Sequence, residues 1–197
     1  MKQGLARHWL IGLTLCVVTV QVGAQEAEVS EPVEPGFSVV SAETHVVDDV
    51  VRLKALFNLR FSDKLIEALK NGVPLNLLIE IEVVKERDYL WSDTVATLEQ
   101  RIRISYQPLT DNYLYTNLNS GEEFEFPTLE SLVAVTSVLG DFPLIDATLL
   151  EADSHYRGEI RISIDRDSFP TPLRLMSYVS SDWHLSSDWY TWPLQIQ

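Results

Sequence analysis

The sequence predicts a mostly β fold: an antiparallel, β-sandwich-like domain with two short helices. Three observations carry this. Apolar and polar residues alternate strictly in five segments, two other segments switch to a helical period, and the sole cysteine, Cys16, sits in an N-terminal leader. Strict alternation marks strands with one face on a core and one in water, the arrangement that antiparallel sheets tolerate. A chain without cysteines after its leader has no disulfides to lean on, so its core must hold it.

The first alternating run is 53–61, where Leu53, Ala55, Phe57, Leu59 and Phe61 share one face and Lys54, Asn58 and Arg60 the other. Ser62 to Gly72 then reads as a helix. Ser62 is its cap, Asp63 suits the first turn, Leu65, Ile66 and Leu69 form the apolar stripe, and Gly72 stops it before Pro74. Ile79, Ile81 and Val83 alternate with Glu80 and Glu82, and Ile102 and Ile104 with Arg101 and Arg103. These acids and bases are suited to pair across neighbouring strands on a wet face, contributing roughly 0.2–1 kcal/mol per pair.

Asn119-Ser120-Gly121 is a turn joining Tyr113–Leu118 to Glu122–Phe126 as a hairpin, with Phe124 and Phe126 on one face. Thr128 to Gly140 is the second helix, with Thr128 as cap and Leu132, Val135 and Leu139 facing inward, although its β-branched residues disfavour it. Ile160, Ile162 and Ile164 form the next strand. Near the C-terminus a period of two puts Trp183, Leu185 and Trp189 on one face, and Trp183, Trp189 and Trp192 are expected in the core.

The N-terminus has the three parts of a signal peptide. Lys2 and Arg7 supply positive charge, Trp9 to Val20 is apolar, and Val22 and Ala24 occupy the small-residue cleavage positions before Gln25. The expected division is a signal peptide over 1–24, a disordered acidic spacer with prolines over 25–36, and one β-rich domain over 37–197. Cleavage near Ala24-Gln25 would release a periplasmic or secreted protein with no stable membrane anchor; a retained N-terminal anchor is the competing reading. With 15 Lys+Arg against 29 Asp+Glu, the chain should be repelled by nucleic acid.

No Gly-x-Ser-x-Gly elbow, His-Glu-x-x-His helix, calcium loop or clustered glycine loop occurs, so no catalytic residue, metal ligand or cofactor is assigned. His45, His155 and His184 are far apart in sequence. Asp48-Asp49 and Glu122-Glu123 read as solvated loop charge, and Asp182 and His184 stand two residues apart in a segment expected to be structural. Tyr89 and Trp91, in a polar turn at 85–94, are the candidate ligand-binding residues. Exposed, they suit a carbohydrate or a protein partner; buried, they are core.

Three stretches, in order, carry a likeness. Phe57-Asn-Leu-Arg-Phe-Ser-Asp-Lys-Leu-Ile-Glu-Ala-Leu-Lys-Asn-Gly-Val-Pro-Leu75, Asn117-Leu-Asn-Ser-Gly121 with Phe126-Pro-Thr-Leu-Glu130, and Ser180 to Leu194 resemble a proteobacterial exported family of unknown function. The family is catalogued as domain of unknown function four-three-nine-zero. The resemblance implies an exported envelope protein whose gene neighbours often include a membrane sensor kinase; it supplies no catalytic residues. The expected function is therefore a non-enzymatic envelope domain that binds a protein partner, an accessory to a sensor kinase being one form of it. A glycan-binding module using exposed aromatics and a hydrolase with a scattered site are the alternatives.

Overall fold

Alternation along each strand builds two antiparallel sheets in a computed structural model that describes residues 34–87, 92–151 and 153–194. Strands β1 (Gly36–Val47), β2 (Val50–Arg60) and β7 (Val138–Asp146) form a three-stranded sheet in the order β1-β2-β7. Strands β3 (Leu75–Lys85), β4 (Asp93–Gln107), β5 (Asn112–Asn117), β6 (Glu123–Phe126), β8 (Tyr156–Ile164) and β9 (Tyr190–Pro193) form a six-stranded sheet in the order β6-β5-β4-β3-β8-β9. Leu53, Ala55, Phe57 and Leu59 from the small sheet join one core with Ile79, Ile81, Val83, Ile102, Ile104, Ile160, Ile162 and Ile164 from the large one. The mostly β, sandwich-like expectation holds, and the alternating apolar residues assign its core.

Helices occur where the chain changes sheets. Helix α1 (Asp63–Lys70) joins β2 to β3, and α2 (Leu129–Thr136) joins β6 back to β7. Both caps form as the sequence predicts: Ser62 Oγ accepts from the Leu65 N–H and Thr128 Oγ1 from the Ser131 N–H, each at 3.2 Å. At the far end of α1, Gly72 (φ 85°) donates its N–H to the Leu69 carbonyl and Val73 donates to Ala68, both at 3.0 Å. This is the Schellman arrangement, in which a left-handed glycine lets the last carbonyls be satisfied.

Four expectations need correction. A third helix, α3 (Thr171–Val179), is present where only two were expected. Helix α2 stops at Thr136, and Val138 begins a strand, because the β-branched run fits a pleated ladder better than a helix. Its buried residues are Leu132 and Thr136, while Val135 is exposed. On the hairpin's edge strand, Phe124 is exposed and only half its apolar face is covered, through Tyr115 at 6.1 Å between ring centroids.

The fourth concerns the tryptophans. Trp183 and Trp192 are buried, but Trp189 is 38% exposed and lies under the Arg161 guanidinium, 4.6 Å from the ring centroid. Period-2 parity fails because the segment is no continuous strand. A 3₁₀ turn covers Ser181–Trp183, Ser186 makes a lone bridge to Ser163, and the hydroxyl oxygen of buried Ser187 accepts from the Ile162 N–H at 3.0 Å.

Candidate protein-binding face

The outer faces of the two sheets differ in chemistry. On the large sheet, charged side chains satisfy one another. Arg161 binds Glu80 through two nitrogens, at 2.6 and 2.8 Å, and Arg101 bridges Glu99 and Asp165, at 2.8 Å each. These pairings correct the expected match of Glu80 and Glu82 with Arg101 and Arg103. Glu80 faces Glu99 on β4 but Arg161 on β8, and Arg101 faces Leu78, so register places the complementary charge on the other neighbour.

The small sheet's outer face is closed only in part: Arg52 pairs with Asp141, and Glu43 stands exposed opposite Lys54. Its central strand β2 turns Arg52, Lys54, Leu56, Asn58 and Arg60 outward, three bases and no acid. Leu56 lies opposite Val138 of β7 on one side and Ser41 of β1 on the other, where a bulge adds Val40 to the same row. Val40, Leu56 and Val138 are 46–59% exposed and make an apolar row across all three strands. Scattered apolar residues on a surface are ordinary, but a row shared by three strands is a contiguous patch of the kind used for association.

Beside this row sits the most constrained polar cluster of the face. Gly140 and Asp141 together oppose Lys54 in a bulge of β7, and Asp141 adopts φ 54°. A non-glycine residue in this left-handed region costs roughly 1–2 kcal/mol. Its carboxylate is gripped by His45 Nε2 and Arg52 Nη1, both at 3.1 Å. The cluster pins the bulge and fixes β7 against β2, and so holds Val138 opposite Leu56.

Sheet edges offer little to a partner strand. β7 carries Pro143 and two register breaks, β1 a bulge at Val40, and β6 and β9 span 4 residues each, β9 ending in Pro193. Short strands, bulges and prolines are the usual means of blunting an edge. Association therefore falls to a face.

The candidate ligand residues Tyr89 and Trp91 lie outside the described residues. Their flanks are placed: Arg157 Nη1 reaches Ser92 Oγ at 3.3 Å and Glu86 at 3.6 Å. Glu86 and Arg157 also line an open cleft of about 380 Å³ with His155, Thr191 and Trp192. Of His45, His155 and His184, only His45 meets an acid within salt-bridge range among the described residues. Among the described residues, no three His, Cys, Asp or Glu side chains are placed to hold a metal ion. Asp48 and Asp49, both at positive φ, make the tight β1–β2 turn, as a two-residue hairpin loop requires.

Asp182 is engaged by a base on α1. Its carboxylate accepts from Lys64 Nζ at 2.5 Å and from Ser180 Oγ at 3.3 Å, and the Lys64 bond holds it below the ordinary carboxylate range. A lowered folded pKa gives stability that is present above the unfolded value, about 3.9, and lost as pH falls through the folded one. Urea midpoints measured from about pH 6 down to about pH 3 should therefore decline less steeply in Lys64→Met than in wild type. Parallel acid limbs would remove this ion pair from the account.

A family model for a domain of unknown function matches residues 34–193, nearly all of the described chain. The chain belongs to the DUF4390 family. No curated protein matches it, and no solved structure does. The three stretches that carry the resemblance serve the fold. The first holds α1 and both its caps. In the second, Asn117 Oδ1 accepts from the N–H groups of Asn119 and Ser120, and the Asn119 side-chain amide pairs with the β4 backbone at Glu99 and Arg101. In the third, Trp183, Leu185, Trp192 and Leu194 are buried. Membership thus accounts for architecture and leaves the outer face of the small sheet to be read on its own chemistry. Among the described residues, no helix is long and apolar enough to cross a membrane.

The signal for this face was present in the sequence. Within 53–61, Leu56 is the apolar residue standing among Lys54, Asn58 and Arg60 on the wet side of the strand. Its partners Val40 and Val138 emerge only with the register.

Proposed function

We propose that this chain is a non-enzymatic protein-binding domain of the cell envelope, gripping its partner with the outer face of the three-stranded sheet. The observation that carries the reading is the exposed row Val40–Leu56–Val138. Outward Lys54 and Arg60 on the same strand give the partner's surface its character: apolar at the centre, acidic at the rim. The three-part N-terminal leader supports export, and the family's gene neighbourhood makes a membrane sensor kinase the first partner to seek.

A photo-crosslinking residue at position 56, expressed in cells, is expected to trap one protein. The same residue at Arg103, on the large sheet's outer face, should trap none. Leu56→Asp should abolish co-purification of the trapped protein, with little loss of stability because the site is on the surface. Equal labelling from both positions, or none from position 56, would sink the assignment. N-terminal sequencing of the mature protein should begin near Gln25, and an intact Met1 in the membrane fraction would overturn the export reading.

A glycan-binding role is the second reading. The cleft at Glu86, His155, Arg157, Thr191 and Trp192 supports it, since Glu86 stands only three positions before Tyr89 in the sequence.

A further inference from the structure

Two surface features remain outside the reading above, and their chemistries match. The first is α3. Its residues Leu175, Tyr178 and Val179 follow the i, i+3, i+4 spacing of one helix face and are 58–90% exposed. The helix is anchored elsewhere, with Ser177 buried and Leu173 packed against the core. Tyr178 is held in place at both ends. Its hydroxyl donates to Asp167 at 2.9 Å, and the Arg166 guanidinium sits 4.7 Å from its ring centroid. The stripe is thus a positioned apolar ridge flanked by Arg166 and Arg174.

The second feature is a groove of about 380 Å³ between α1 and α2, walled by Phe61, Ile66, Leu129, Val133 and, as its only charged lining residue, Glu130. Glu130 and Arg174 each lack an ion-pair partner among the described residues. An apolar ridge flanked by base and an apolar groove rimmed by acid meet the requirements of helix-in-groove recognition, with anchors at i, i+3 and i+4. Both are found on the same chain.

We infer that the occupant of the groove is a second copy of this chain, in a reciprocal two-fold dimer where α3 of each protomer fills the α1–α2 groove of the other. Reciprocity closes the assembly at two, whereas a one-way contact would propagate as a filament. Charge selects the pairing. At a net charge of −14, two copies repel, so a stable contact must set a free cation against an acid, and Arg174 against Glu130 does this twice per dimer.

Sedimentation velocity on the full chain, from micromolar to millimolar concentration, tests this. Wild type is expected to follow a monomer–dimer equilibrium. Arg174→Glu and Glu130→Arg, both surface changes, should each raise the dissociation constant at least about tenfold. Mixing the two variants should restore the dimer, because both contacts then carry opposite charges again, and the double variant alone should recover it too. Leu175→Ser should abolish the dimer while leaving the thermal melt of the monomer unchanged. Four results would overturn the inference: a wild type monomeric throughout, growth beyond the dimer with concentration, charge variants that dimerise as wild type, or a mixture that fails to recover. Binding of a monomeric wild type to phosphatidylcholine vesicles, lost in Leu175→Ser, would assign the ridge to a lipid surface and overturn it as well.

Discussion

Trp192→Ala is expected to destabilise the domain by about 3–5 kcal/mol, whereas Trp189→Ala should cost no more than about 1 kcal/mol. The two residues stand three apart in one aromatic segment, and the sequence offers no reason to separate them. Their surroundings do. Trp192 is buried, pairs with Gly158 across β8 and β9, and lays its ring on that glycine; a Cβ at position 158 would sit 2.2 Å from ring carbon Cζ2. Truncation there removes a large buried ring and leaves a cavity that the sheet cannot collapse to fill. Trp189 is reached by water over more than a third of its surface and loses a stacked contact with Arg161 worth about 0.5–1 kcal/mol at an exposed site. A third variant checks the geometry. Gly158→Ala should cost about 1–3 kcal/mol by overpacking in wild type, and much less in the Trp192→Ala background, because the clash partner has gone. Urea midpoints for wild type and the four variants decide the matter; equal losses at Trp189 and Trp192, or additive losses at Gly158 and Trp192, would contradict the packing described here.

What the sequence made legible was whatever depends on local period. Alternation in 53–61, 79–83, 101–104 and 159–164 assigned the inward face of each strand, and Ser62, Thr128 and Gly72 marked helix ends through hydrogen bonds made within a few residues. What was not legible depends on which strands are neighbours. β3 lies between β4 and β8, so Glu80 has a choice of partners that the period cannot resolve, and it takes Arg161. The candidate face is hidden for the same reason. Val40, Leu56 and Val138 come from three separate segments, and only register and a bulge bring them into a row. Helix α3 escaped notice because its apolar residues lie on more than one face, Leu173 against the core and Leu175, Tyr178 and Val179 in water, so no single stripe marks it in the sequence.

This contrast bears on how the family's chains should be read. The three stretches that carry the resemblance build caps, turns and core, and they would serve equally well under any function. Functional signal sits instead in residues that break a local rule without helping the fold. Leu56 breaks polarity on a wet strand face, Val40 and Val138 continue that break on the neighbouring strands, and Leu175 and Val179 stand apolar in water. Such departures are expected where a surface has a task other than solvation.

Capping propensity alone makes Ser62→Asp harmless, since aspartate caps helices as well as serine does. The structure predicts the opposite: a loss of roughly 2–4 kcal/mol at neutral pH, larger than the roughly 1–3 kcal/mol expected for Ser62→Ala. Ser62 is buried, and its hydroxyl has two duties. It accepts from the Leu65 N–H at 3.2 Å and donates to the Asp182 carbonyl at 2.6 Å, tying the start of α1 to the 3₁₀ turn at Ser181–Trp183. A carboxylate can do the first but not the second, because it has no proton to give; it would set a negative oxygen against a carbonyl oxygen in a site shut from water. Alanine merely leaves both groups without this partner. The two accounts differ in sign with pH. Once protonated, the new carboxyl regains a donor, so the folded state holds a proton that the unfolded state releases, and the deficit of Ser62→Asp relative to wild type should shrink as pH falls from about 8 to about 5. The deficit of Ser62→Ala should stay flat over that range. Denaturation midpoints for Ser62→Asp equal to those of wild type at pH 7 would leave Ser62 an ordinary cap and remove the tie between α1 and the C-terminal segment.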